Sequence, residues 1–398
     1  MVSVISKENF LASLIGSSVA FSRLSLYRAS LLLWFRFSHA SASRVRNDTL
    51  FLVGRTHSNS FAVGEALPRS YLGGESIELV TRVLIEELNE NQRAYLTVPL
   101  ATLQSRRETL LDMRGGLGTV CALELCFIDG ALREDGTDLT SINEALRTFP
   151  KTSITLPFCS LWWVSRFATW SKRWCPCDVK AKVTGDFEYD AAILKRLTTV
   201  LRQDQDVRID LNGALRLDAA SSYLERLATS FPRLKWIEEP LHVEDRKLLP
   251  VLSSRFKERF ILCADESAVR QKDLNLLKPL GSSGAVNVRV GKHGGILESV
   301  RFAGEARASG LQLQVGSLVG ETAVLTGAGA LVASQIDDVR YLEVGHSPRL
   351  LKRSPVTSRV RNSGWRLEFQ EKPGGLAGDV NLKWLKRHGE LLWESSWK

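Results

Sequence analysis

From Asp178 onward, short β-branched runs alternate with stretches whose apolar residues recur at helical spacing. The runs are DVKAKV, VRIDLN, LKWIEEP, FILCADES, AVNVRVG, LQLQVGS and VRYLEVG. The stretches between them include DAAILKRLTTVL, LDAASSYLERLATSF and ETAVLTGAGALVASQI. In the second of these Ala219, Tyr223, Leu224 and Leu227 share one helical face, whereas the runs are short and apolar, as in a parallel sheet covered on both sides. Strand-then-helix repetition predicts right-handed βαβ units. An earlier strand in SITLPFCSL, after the helix-like GTVCALELCFIDGAL, completes an α/β modified TIM barrel of the (β/α)7β type. A doubly wound sheet is the alternative, and no GxGxxG follows any of the runs to support it.

The first 120 or so residues have a different rhythm. RASLLLWFRF and TLFLVGRTHSNSFAVGEA predict two or three antiparallel strands, and IELVTRVLIEEL a helix, which together make an α+β domain. The tail WRLEFQEKPGGLAGDVNLKWLKRHG returns to strand and Gly-rich turn and is expected to pack back on that domain. The predicted divisions are a leader at 1–22, the α+β domain at 23–125, the barrel at 126–350 and the returning segment at 351–398.

Composition narrows the function classes. The 398 residues are 44% hydrophobic and 24% charged, enough to bury a large core. The net charge of +9 comes from dispersed Lys and Arg, so an anionic small molecule is a better expectation than nucleic acid. No apolar run is long enough for a membrane helix. In the opening MVSVISKENFLASLIGSSVAFS, Glu8 and the broken apolar run argue against a secretion signal. Six cysteines in this length form no disulfide framework, so a reducing, cytoplasmic setting is expected.

Active groups of a βα barrel sit where strands end, because only there do several strands aim side chains into one pocket. Three successive runs end in acids: Asp210, Glu238 with Glu239, and Asp265 with Glu266. Asp210 and Glu238 are 28 residues apart and Glu238 and Asp265 are 27, one βα unit each time. Three converging carboxylates raise one another's pKa unless a cation joins them, and a hard divalent ion with oxygen ligands is the natural partner. A single such acid would read as a helix N-cap; three in consecutive units do not. One run earlier, Lys180 and Lys182 share a strand face, and burying two ammonium groups requires anions nearby. Lys182 beside a metal and a like charge would have a lowered pKa and serve as a general base, with Lys180 holding it in position.

KAK followed by DLN, IEEP, ADES and a strand ending before GGI resembles the enolase superfamily, in the muconate-lactonizing branch that includes dipeptide epimerases and o-succinylbenzoate synthases. FRFSHASASR and GEALPRSYLGGES resemble its capping segments, and PGGLAGDV its C-terminal return. The resemblance implies Mg2+, with Mn2+ as a substitute, held by Asp210, Glu238 and Asp265. It implies Lys182 as acid/base with Lys180 its neighbour, and Asn212 and Glu239 supporting the ligands. The superfamily's chemistry, a Lys or His base with metal-stabilised enolate, is inherited with the resemblance. Homo-oligomers are expected, since barrels of this sort commonly associate.

The family pattern has a second lysine 24 residues after the third ligand, and this chain has Arg289 there. Strand alternation places Asn287, Arg289 and Gly291 on one face and Lys292 on the other, unless a bulge redirects it. A guanidinium does not release its proton at accessible pH, so two-base epimerisation is in doubt. One-base cycloisomerisation of a muconate-like diacid, or syn-dehydration of the o-succinylbenzoate type, is the main expectation. The alternatives are an epimerase using Lys292, and a binding protein on a decayed scaffold.

Substrate contacts are expected from Arg36, Phe37, His39 and Tyr71 of the capping segments and from Ser317 and Glu321 in the strand end VGSLVGET. Glu321 is equally readable as a helix cap. Cys175 and Cys177 read as free loop thiols, Trp162, Trp163, Trp170 and Trp174 as a core or oligomer surface, and His242 and His293 as solvent or helix-start histidines.

Overall fold

The computed structural model describes residues 16–39, 42–137, 139–142, 146, 152–158, 160–174, 178–202, 204–363, 365–371 and 374–395. Three antiparallel strands open the chain: β1 (Phe21–His39), β2 (Ala42–Thr56) and β3 (Phe61–Ala66). β1 therefore begins inside the expected leader, with Phe21 buried against Phe127 at 5.8 Å between ring centroids. Four helices follow, α1 (Ile77–Glu90), α2 (Gln92–Thr97), α3 (Pro99–Asp112) and α4 (Gly116–Glu134). α4 is apolar nearly all round and buried from Gly116 to Leu132, as a helix between two layers must be. It passes unbroken through the expected 125/126 division. β3 lies on it so closely that a Cβ on Gly64 would stand 1.9 Å from the Ala122 carbonyl oxygen.

Eight parallel strands form the second unit: β4 (Ile154–Leu156), β5 (Val179–Lys182), β6 (Val207–Asp210), β7 (Trp236–Glu238), β8 (Ile261–Ala264), β9 (Gly284–Val288), β10 (Gln312–Val315) and β11 (Val339–Leu342). They pair in chain order, and Thr152 bridges Leu342 to bring the two ends of the sheet together. The Ser153 amide donates to the Leu342 carbonyl at 2.7 Å in the same seam. Helices α5 (Leu161–Trp174), α6 (Phe187–Val200), α7 (Leu217–Ser230), α8 (Leu249–Phe256), α9 (Gln271–Leu277), α10 (Val290–His293), α11 (Ile296–Ala308) and α12 (Ala323–Gln335) fill the connections. The architecture is the expected (β/α)7β barrel. α10 is an added helical turn.

Buried glutamates from the first unit cap barrel helices. Glu65 of β3 accepts the Thr322 amide at 3.0 Å, the Thr322 hydroxyl at 2.6 Å and the Leu325 amide at 3.2 Å, at the start of α12. Glu124 of α4 accepts the amides of Ile296 and Leu297 at the start of α11. These oxygens satisfy helix amides that would otherwise lack partners, which fixes the first unit over the barrel mouth. The tail returns as expected, through β12 (Val360–Ser363), β13 (Arg366–Phe369) and α13 (Leu382–His388). It ends in a strand the sequence pattern did not announce, β14 (Gly389–Glu394), antiparallel to β1.

Candidate active site

The C-terminal ends of β5 to β9 bring the sequence-selected groups together. Register pairs Lys182 with Asp210 and Asp210 with Glu238 across neighbouring strands. Glu238 pairs with Cys263, two residues before Asp265. All three acids are fully buried. Each meets a protein cation.

Lys182 Nζ donates to Asp210 Oδ2 and to Asn212 Oδ1, both at 2.7 Å. Asn212 has a φ of +43°, a conformation Asn tolerates, and its Nδ2 donates to Glu266 Oε1 at 3.1 Å. Burial pushes the Asp210 carboxyl above its ordinary pKa, Lys182 pulling it back down and Glu238 adding to the rise. Lys180 Nζ lies 3.8 Å from the same Asp210 oxygen. This nitrogen spans the barrel interior, donating to Glu238 Oε2 at 2.8 Å and Glu343 Oε2 at 2.7 Å. Burial alone would lower the Lys180 pKa, but Glu238, Glu343 and Asp210 outweigh it and hold the ammonium above the lysine value.

Glu238 is the hub. Beyond Lys180 it accepts from Gln314 Nε2 at 2.9 Å, Asn287 Nδ2 at 2.9 Å and Arg289 Nη2 at 3.3 Å. Burial would raise its pKa, yet Lys180 and Arg289 prevail and keep it well below the carboxylate range. Asp265 Oδ2 meets Arg289 Nη2 and Oδ1 meets Lys292 Nζ at 3.1 Å. Glu239 supports this acid from behind, accepting the Asp265 amide at 2.8 Å.

The structure answers which cation faces outward. Arg289 lines a cavity of about 250 Å³ together with Lys180, Lys182, Asn212, Glu266 and Glu343. Lys292 does not line it. β9 stops at Val288 and the chain turns through α10, so strand parity no longer applies at 291 and 292. The turn brings Lys292 back to the strand ends, where Nζ also donates to the carbonyls of Asp265 and Asn287. β5 and β9 are separated by three strands in either direction round the closed sheet. Lys182 and Arg289 therefore stand on opposite walls of the cavity.

Residues 171–376, just over half of the chain, match the family model described as Enolase C-terminal domain-like. The chain belongs to the enolase superfamily. L-Ala-D/L-Glu epimerase of Bacillus subtilis is 22% identical over 323 residues, 80% of this chain and 86% of that protein. Its substrate-liganded structure superposes with a TM-score of 0.77 at 20% identity, over 91% of this chain and 99% of that one. The muconate lactonizing enzyme of Pseudomonas fluorescens, complexed with muconolactone, gives 0.76 at 18% identity, over 94% and 100%. At these identities the structures speak for the fold alone. N-succinyl-L-Arg/Lys racemase of Bacillus cereus is 27% identical over 154 residues, 39% of this chain, and the match spans 41% of that protein's length.

Magnesium use is general in this superfamily. The donor set here suits such an ion: hard carboxylate oxygens converge from three adjacent strand ends, where repulsion among them calls for a cation. As they stand, protein cations lie among these acids, and among the described residues no three His, Cys, Asp or Glu side chains are gathered as a metal cluster.

Other expected contacts of this enolase-superfamily chain divide. Phe37, Tyr71 and Ser317 line the cavity. Arg36 is exposed and bonds Ser43 at 3.4 Å rather than reaching the cavity. Glu321 turns inward, accepting the Leu318 amide at 2.8 Å and the Thr326 hydroxyl at 3.1 Å, so its role is a loop and helix clasp. The side chains of His39, Trp170 and Trp174, and all of Cys175 and Cys177, lie outside the described residues. Trp162 and Trp163 are exposed, edge to face. His242 is partly exposed, but His293 is fully buried and stacked on Phe302 at 4.2 Å, contrary to expectation, because α10 carries it inward. Sequence reasoning missed Glu343, although the strand-end rule applied to VRYLEVG selects it. It gave no role to Glu266, whose Oε2 is buried without a partner and whose pKa burial, Asp265 and Glu239 push far up. Among the described residues no helix is long and apolar enough to cross a membrane.

Proposed function

We propose that this chain is a Mg2+-dependent isomerase or lyase that removes a proton α to a substrate carboxylate, with Lys182 as its one base. The observation that supports this reading is the asymmetry of the cavity walls. Lys182 reaches the cavity from β5 on two hydrogen bonds that fix its nitrogen. Arg289 faces it from β9 and can only donate. Asp210, Glu238 and Asp265 would hold the ion, which when bound stabilises negative charge developing on the substrate carboxylate. Lys182, once deprotonated, takes the α proton, and Asn212 keeps its nitrogen aimed. Arg289 contributes hydrogen bonds to an anion and no proton acceptance. Such one-faced chemistry suits muconate-type cycloisomerisation or o-succinylbenzoate-type dehydration.

The similarity to proteins named epimerases and racemases favours a second reading, inversion at an α carbon of a dipeptide or amino-acid derivative. Inversion requires a proton acceptor on each face. Lys292, three residues after Arg289, is buried outside the cavity lining on two carbonyls and Asp265. The test is solvent deuterium exchange by proton NMR across dipeptides, N-acyl amino acids and cyclic carboxylic acids, with Mg2+ present. Lys182→Ala should lose exchange on any acid that the wild-type protein turns over; undiminished exchange removes Lys182 from the role.

A further inference from the structure

We infer that Arg289 and a divalent cation exchange for one place between Glu238 and Asp265, so that ion entry moves the guanidinium off these acids and into the cavity as an anion receptor. The inference rests on the metal-dependent reading above. A single nitrogen, Nη2, touches Oε1 of Glu238 at 3.3 Å and Oδ2 of Asp265, two of the three acids proposed to hold the ion. Magnesium binds its oxygens at about 2.0–2.1 Å and dehydrates reluctantly, so it does not share those oxygens with an inserted guanidinium.

The surroundings show which cation is free to leave. Lys180 is held between Glu238 and Glu343, and Lys292 on the carbonyls of Asp265 and Asn287. With Arg289 removed, Glu238 retains Lys180, Gln314 and Asn287 and keeps its orientation. Arg289 Nε, by contrast, is buried without a hydrogen-bond partner. Space for its side chain is built in. A Cβ on Gly316 would stand 3.1 Å from that Nε and 2.4 Å from Asn287 Oδ1, so the glycine leaves open the wall along which the arginine lies. The side chain already borders the cavity into which it would turn. The consequence is positive coupling: an anionic substrate meets a released guanidinium only once the ion is bound.

The experiment is Mn2+ binding to the full chain by electron paramagnetic resonance, for wild type, Arg289→Lys and Arg289→Met, with thermal melts to establish folding. Lysine keeps the charge but is shorter, so its nitrogen stops short of the point where Nη2 meets both acids. Direct exchange predicts that Arg289→Lys binds Mn2+ at least fivefold more tightly than wild type, and Arg289→Met at least as tightly as Arg289→Lys. A smaller gain for the lysine variant reduces the effect to plain repulsion and overturns the inference, as would a Mn2+-loaded crystal with Arg289 still on Glu238 and Asp265. If neither wild type nor any folded variant binds Mn2+, the metal-dependent reading falls with it. Should Arg289→Met not fold, the lysine variant decides alone.

Discussion

Replacing Lys180 by methionine tests whether this residue holds the barrel interior together. The side chain is 2% exposed and its nitrogen satisfies Glu238 and Glu343 at 2.8 and 2.7 Å. Methionine fills much of the volume but leaves two buried carboxylates short of a cation. Breaking a buried ion pair from one side costs roughly 3–5 kcal/mol, because the remaining charge is uncompensated. Unfolding entropy of about 2.1 cal/mol/K per residue, over 398 residues, gives ~0.8 kcal/mol/K, so the melting midpoint should fall by ~4–6 °C. Calorimetry or circular dichroism on wild type, Lys180→Met, Glu343→Gln and the double variant measures this. Since Glu343 also meets Arg208 at 3.0 Å, its own substitution is costly, yet the pair should be less damaging together than the sum of the singles by at least ~1 kcal/mol. A fall below about 1 °C for Lys180→Met, or strict additivity, would refute the bridging role.

Burial pushes Glu321 up to about 8 and Glu65 up to about 7, each against the hydrogen bonds it accepts. The folded chain then keeps protons that the unfolded chain has released, so these groups erode stability as pH rises from about 4.5, to about 8 for Glu321 and about 7 for Glu65, by ~1.4 kcal/mol per pH unit for each titrating group. Glu321→Gln should make the melting midpoint fall less steeply over that window; an unchanged pH slope would count against the buried, protonated carboxyl. Gly64→Ala should cost several kcal/mol, read as loss of soluble protein or a lowered melting midpoint, since backbone of α4 occupies the place of the new methyl. A neutral result there would mean that the first unit does not pack on α4 as described. Asn212→Ala should lower turnover far more than metal affinity, because it frees Lys182 Nζ on one side without touching Asp210's own charge.

The barrel was legible because each parallel strand is a short apolar run closed by a polar end, and the 27- and 28-residue intervals translate directly into neighbouring strand ends. Asp210, Glu238, Asp265 and Lys182 emerged from that logic, and the structure brings them together. Lys292 and His293 did not yield to it. Strand parity holds only along a continuing strand, and one helical turn, closed at Gly294 with a φ of +90°, returns Lys292 to the strand ends and carries His293 inward onto Phe302. β14 escaped for a different reason: GELLWE is half exposed and shows no two-residue alternation, so only its pairing with β1 reveals it. The partners of Glu65, Glu124 and Glu321 lie far along the chain or in loops, and periodicity carries no information about such caps.

The fate of an α-hydrogen in D2O tests most directly whether Lys182 alone exchanges the proton, from one face of the substrate. With both enantiomers of an acid that the Mg2+-supplemented protein exchanges, incorporation of deuterium should be confined to one enantiomer and proceed with retention. Exchange from both enantiomers, or accumulation of the mirror-image product, would contradict it.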